Sequence, residues 1–133
     1  MTAAPLLASR DRGQALVEFA LIAVLFFTLL IGIIDGSRAI YAYNTVANAA
    51  RVAARVAIVN QNPDDVVGAA MQEAVGLGLA ETDVVFTNPC TEKPCSITVT
   101  VTYDFVAAAP FIDRIFDPTI TSTAEMPIER VYP

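Results

Sequence analysis

From Phe19 to Ile34 the chain reads FALIAVLFFTLLIGII, sixteen residues in which Thr28 is the only polar side chain. Extending back through Gln14-Ala15-Leu16-Val17-Glu18 gives a stretch of 21 residues. At ~1.5 Å rise per residue, a helix of that length covers the ~30 Å hydrocarbon core of a bilayer. Arg10, Asp11 and Arg12 flank one end, and Asp35 and Arg38 the other. A chain of 133 residues is too short to wrap a helix that is apolar on every face, so the run predicts a membrane span rather than a core helix. As a cleaved secretory signal it is too long. No A-x-A site leads into a turn either, because Asp35-Gly36-Ser37-Arg38 passes directly into more helix-forming sequence. A retained anchor is expected, dividing the chain into 1–13, a span at 14–34 and a domain at 35–133. Arginine counting does not orient it, since Arg10 and Arg12 precede the span while Arg38 and Arg51 follow it.

Beyond Asp35 the pattern stays helical and becomes amphipathic. Asn44, Asn48, Arg51 and Arg55 fall at steps of four, three and four, forming one polar stripe that reads as a solvated face. Val46, Ala49, Ala50, Ala53, Val56 and Ala57 lie on the other faces, where small side chains let another backbone approach closely. One nearly continuous helix is expected from about 14 to 59, with Gly32 and Gly36 as flexible points. Asn62-Pro63-Asp64-Asp65 then has the composition of a helix start: an N-cap, a proline in the first turn and acids at the positive dipole end. That helix is predicted to reach about Leu77, ended by Gly76 and Gly78, with Val66, Val67, Ala70, Ala74, Val75 and Leu77 inward. Dipole capping accounts for Asp64 and Asp65 better than metal binding, because no further ligands cluster beside them.

Ile97, Val99, Val101, Tyr103 and Phe105 alternate with Thr98, Thr100, Thr102 and Asp104, which predicts a strand with one apolar face. Residues 83–87 read as its hairpin partner, and 119–126 alternate again with Ile120, Ala124 and Met126 on one side. The expected fold class is α+β: a long N-terminal transmembrane-plus-amphipathic helix, a second short helix and a small antiparallel sheet of about three strands. The two helices would cover the apolar face of the sheet. The segment from Phe111 to Phe116 is expected to pack beneath it. Between the first two strands lies Cys90-Thr91-Glu92-Lys93-Pro94-Cys95. The spacing is not the C-x-x-C of a redox pair, and no further ligands complete a metal site. A structural disulfide between Cys90 and Cys95 in an oxidising compartment is the expectation, and it favours a cytoplasmic N-terminus with the domain outside.

Composition narrows the chemistry. Net charge is −6 and Lys93 is the only lysine, so the clustered cations needed to neutralise phosphates are missing and no nucleic-acid partner is expected. Histidine is absent, which removes imidazole bases, Ser-His-Asp arrangements and His metal ligands. Asp64, Asp65, Glu73 and Glu81 have no nearby nucleophile or phosphate loop in the sequence. No enzymatic activity, cofactor or metal is expected.

Glu18 lies four residues into the apolar stretch. A carboxylate at mid-bilayer costs ~2.5–3.5 kcal/mol, less near the interface, so Glu18 is either a snorkelling interfacial residue or a pairing group. Its setting, Arg12-Gly13-Gln14-Ala15-Leu16-Val17-Glu18-Phe19-Ala20-Leu21, resembles the start of type IV pilin-like proteins and, more closely, of the TadE-like family of the tight-adherence (Flp pilus) apparatus. Asn48-Ala49-Ala50-Arg51-Val52-Ala53-Ala54-Arg55 resembles that family's AAR-x-x-AR helix, and 119–133 its Thr-rich strand and charged tail.

The resemblance implies a pilin-like (pseudopilin) structural component in the bacterial inner membrane. Its implied partners are the lipid bilayer, other pilin-like subunits, a prepilin peptidase and the membrane assembly platform. It implies cleavage between Gly13 and Gln14. Glu18 would become the fifth residue and pair with the α-amine of an adjacent subunit, a contact that favours one stagger. Phe19 at the sixth position, in place of the tyrosine of the major Flp pilin, points to a minor component. The alternative is an uncleaved, anchored binding module that never polymerises. It predicts an intact N-terminus and tolerance of Glu18→Gln.

Overall fold

A computed structural model describes residues 8–88, 95–108 and 118–128, with side chains from residue 13 onward. The expected α+β order is found. Helix α1 (Ala8–Val59) is followed by α2 (Pro63–Glu73), a short 3-10 turn (Glu81–Asp83) and strands β1 (Val84–Thr87), β2 (Cys95–Asp104) and β3 (Thr119–Ile128). The strands form one antiparallel sheet in the order β1-β2-β3.

Helix α1 runs without interruption through Gly32 and Gly36 and starts before residue 14. Its two halves have different environments. Up to Ile34 nearly every side chain is exposed, whereas Ala42, Val46, Ala49, Ala50, Ala53, Ala54 and Ala57 are buried. The alanines expected to admit another backbone thus receive the chain's own sheet and α2. Asn44, Asn48, Arg51 and Arg55 lie exposed on the opposite side, as their spacing predicts.

In the sheet, Ile97, Val99 and Val101 are fully buried against that alanine face. Register places Val99 opposite both Phe86 and Ala124, so the inward residues of all three strands meet in one layer. The outward face carries threonines, with Thr100 opposite Thr123 and their hydroxyls 3.1 Å apart. Strand β2 begins at the end of the sheet near Gln61, to which Asn88 donates a hydrogen bond at 3.1 Å. It ends beside α1 at Arg38 and Ala42.

Asn62 caps α2 through its side chain, which accepts from the Asp64 N–H at 3.2 Å. Asp65 is held by the side-chain amides of Asn60 and Asn62, so its charge serves the cap. The helix stops at Glu73 rather than continuing to Leu77. After Ala74 the chain turns, with the Leu77 N–H bonded to the Ala74 carbonyl and Gly78 at φ +66°. Two glycines within three residues make helix propagation unfavourable there. Val75 consequently leaves the helix's inner face and is 76% exposed, whereas Val66, Ala70 and Ala74 are buried as expected. The segment from Phe111 to Phe116 and Cys90 fall outside the described residues.

Candidate functional site

The candidate site is the exposed N-terminal half of α1 together with its junction to the domain. Helix propensity is sustained there by Leu, Ala, Glu and Gln, and no proline interrupts it. Among the described residues this is the one helix long and apolar enough to cross a membrane. Leu16, Phe19, Leu21, Leu25 and Phe27 stand outward without packing partners in the domain. An apolar surface this continuous is stable only when lipid or another apolar helix covers it.

Gly13, Gln14 and Glu18 lie on this exposed helix. Gln14 and Glu18 are one turn apart, so the Glu18 carboxylate sits beneath the helical turn that Gln14 opens. Among the described residues Glu18 has no hydrogen-bond or ion-pair partner. A Cβ added at Gly13 meets nothing within 4 Å, so packing within the chain does not require glycine there. Cys95 opens β2 opposite Ile128, at the end of the sheet remote from these residues. Sequence grouped the five as site residues. The structure brings Gly13, Gln14 and Glu18 together on one helix and leaves Cys95 apart.

Asp35, which sequence treated as the charge that ends the apolar run, has a structural task that spacing did not reveal. It is buried on the domain side of α1. One carboxylate oxygen accepts the Ala108 backbone N–H at 2.9 Å and an Arg38 guanidinium N–H at 3.1 Å. Arg38 also lies over the Phe105 ring, 5.5 Å from its centroid. The first residue past the span therefore ties the chain leaving the sheet to the helix. Its partner lies 73 residues away, beyond the reach of any local pattern.

Further along, Tyr41, Asn44, Thr45, Asn48, Arg51 and Glu73 line an open hollow of about 530 Å³ between α1 and α2. Asn48 donates to Glu73 across it. The hollow is a hydrated seam rather than an enclosed pocket, and it contains no nucleophile paired with a base. No group of three or more Cys, Asp and Glu side chains capable of holding a metal occurs among the described residues.

An exposed apolar helix extending from a small α+β domain fits the class of membrane-anchored proteins. The family model described as TadE-like protein matches residues 13–55, the length of α1 from its exposed apolar half to the alanine-rich half under the sheet. Over that segment the chain is similar to the TadE-like family. No curated protein and no solved structure matches the chain.

Proposed function

We propose that this chain is a pilin-like structural subunit that takes part in assembling a tight-adherence pilus or related secretion apparatus, without catalytic activity of its own. The observation that carries the reading is the coincidence of the TadE-like match at 13–55 with an apolar helix that the domain leaves uncovered. Such a helix can be held in the inner membrane and later pack against neighbouring pilin-like helices. The N-terminus would be cytoplasmic and the sheet extracytoplasmic, where a Cys90–Cys95 disulfide would close the connection between β1 and β2.

On this reading a prepilin peptidase cuts after Gly13. Within a helix, glycine is about 1 kcal/mol less favourable than alanine, which lowers the cost of opening the backbone at the cut. The freed α-amine on Gln14 then pairs with Glu18 of a neighbouring subunit. A carboxylate held in the bilayer with no partner among the described residues gains most from such a charge.

The test is the N-terminus and intact mass of the full chain, expressed with the matching peptidase, beside a Gly13→Ala variant. The wild type is expected to begin at Gln14 and the variant to keep Met1. If both keep residues 1–13, Glu18 loses its proposed amine and the chain is better described as an uncleaved anchored module.

A further inference from the structure

The end of the apolar run and the end of the sheet meet at the same height on α1, and this has a consequence for where the domain sits. From Phe105 to Ala108 the chain descends along α1: Phe105 lies under Arg38 and packs with Ala42, and Ala108 reaches Asp35. Asp35 directly follows Ile34, the last residue of the run. Between two buried neighbours, Phe105 and Ala107, Val106 points outward and is 61% exposed. On other sides of the same helical turns Ile40, Tyr41 and Tyr43 are also exposed. A ring of apolar and amphipathic side chains thus surrounds α1 immediately beyond its lipid-facing half.

We propose that the 105–108 corner is a membrane seat: it rests in the phospholipid headgroup layer with the Ile40–Tyr43 turn directly above, so the domain lies on the bilayer instead of standing clear of it. Continuity is the first argument. The ring belongs to the same unbroken helix as the span, and the Asp35–Ala108 bond fixes the corner level with the span's end. Dimensions agree with this. The interfacial layer is ~5–7 Å thick per leaflet. At ~1.5 Å per residue from Ile34, Asp35 to Arg38, and with them the 105–108 corner, lie within it, whereas Ile40 stands about 9 Å out, just above it.

The chemistry is also that of an interface. Among the described residues the charges at this level, Asp35 and Arg38, neutralise each other at 3.1 Å, so immersing that pair exposes no unpaired ion to the layer. A second protein chain would serve as well for the apolar contacts alone. Phospholipid is favoured because the corner is held level with the end of the span, where headgroups surround the helix.

The chain contains no tryptophan, so single introduced tryptophans report unambiguously. Val106→Trp, Val85→Trp on the outward face of β1 and Leu25→Trp in the span would each be made in the full chain. Each would be reconstituted at one copy per phosphatidylcholine nanodisc and quenched in turn by headgroup-nitroxide lipid, acyl-brominated lipid and aqueous iodide. The expected result is that Trp emission at 106 is lost mostly to the headgroup nitroxide, at 85 only to iodide and at 25 only to brominated chains. Equal iodide quenching at 106 and 85 overturns the proposal. So does protection at 106 that appears only with two copies per disc, which would assign the ring to a second protein. If position 25 escapes the brominated lipid, the anchor itself is refuted, a failure distinct from that of the seat.

Discussion

Asp35 accepts the backbone N–H of Ala108 at 2.9 Å, joining the last turn of the membrane-spanning half of α1 to the chain that leaves the sheet. This carboxylate closes the domain at its membrane end, where the helix is otherwise flanked by lipid-facing residues. Removing it leaves a half-buried N–H and the Arg38 guanidinium without their acceptor. Asp35→Ala is therefore expected to lower stability by about 1–3 kcal/mol. Asp35→Asn keeps a carbonyl that can accept the Ala108 N–H. The pair with the half-exposed Arg38, which it gives up, is worth about 1 kcal/mol or less. Thermal unfolding of the detergent-solubilised full chain gives the ranking. Amide exchange at Ala108 separates the two variants, because only the alanine variant should open that bond.

The alanine face of α1 sets how closely the sheet approaches. Ala53 is fully buried in the cluster that contains Val99 and Val101. Leucine at this position must push the strands away or adopt a strained rotamer. Ala53→Leu is expected to cost about 1–3 kcal/mol. Arg55→Ala, two residues on but exposed, should change stability by no more than about 0.5 kcal/mol. Equal effects of the two in a denaturant titration would contradict the assigned faces.

Two neighbouring glycines should respond differently to alanine. A Cβ on Gly76 meets the Tyr41 hydroxyl at 2.9 Å, the far end of an exposed side chain that can swing away. Gly78 has open space around it but sits at φ +66°, where a Cβ crowds the backbone. Gly78→Ala is expected to cost about 1 kcal/mol or more, and Gly76→Ala less. The reverse order would show that contact with Tyr41, and not backbone conformation, governs this turn.

These contrasts mark where local sequence sufficed. The alternation from Ile97 to Phe105 gave β2 its faces because a strand repeats every two residues and only one side can face an alanine helix. Asn62 and Pro63 located the start of α2 because capping is satisfied within one turn. Val75 was misplaced for a physical reason: an apolar residue extends a helical pattern on paper, but Gly76 and Gly78 remove the propensity that would sustain the turn. Asp35 was legible only as a charge ending a hydrophobic run, since its partner arrives after the whole sheet has formed. The grouping of Gly13, Gln14 and Glu18 came from the resemblance of residues 12–21 to pilin-like starts, and their place on one helix follows from lying within six residues.

The sharpest separation between an assembling subunit and a solitary anchor comes from Glu18→Gln. The substitution removes a charge that costs up to ~2.5–3.5 kcal/mol at mid-bilayer and less at the depth of Glu18, so membrane insertion should be unchanged or slightly improved. Glutamine retains size and an acceptor oxygen but cannot form an ion pair with an α-amine. Were Glu18 merely snorkelling, association with pilin-like chains would be unaffected. With a pairing role, cross-linking yield between neighbouring chains should fall severalfold while the amount in the membrane stays constant. The leader-retaining Gly13→Ala variant should show the same loss, and combining the two should add little, since each removes one half of the same contact. Full cross-linking by Glu18→Gln would remove the carboxylate from the assembly contact and leave the apolar helix surface as its sole determinant.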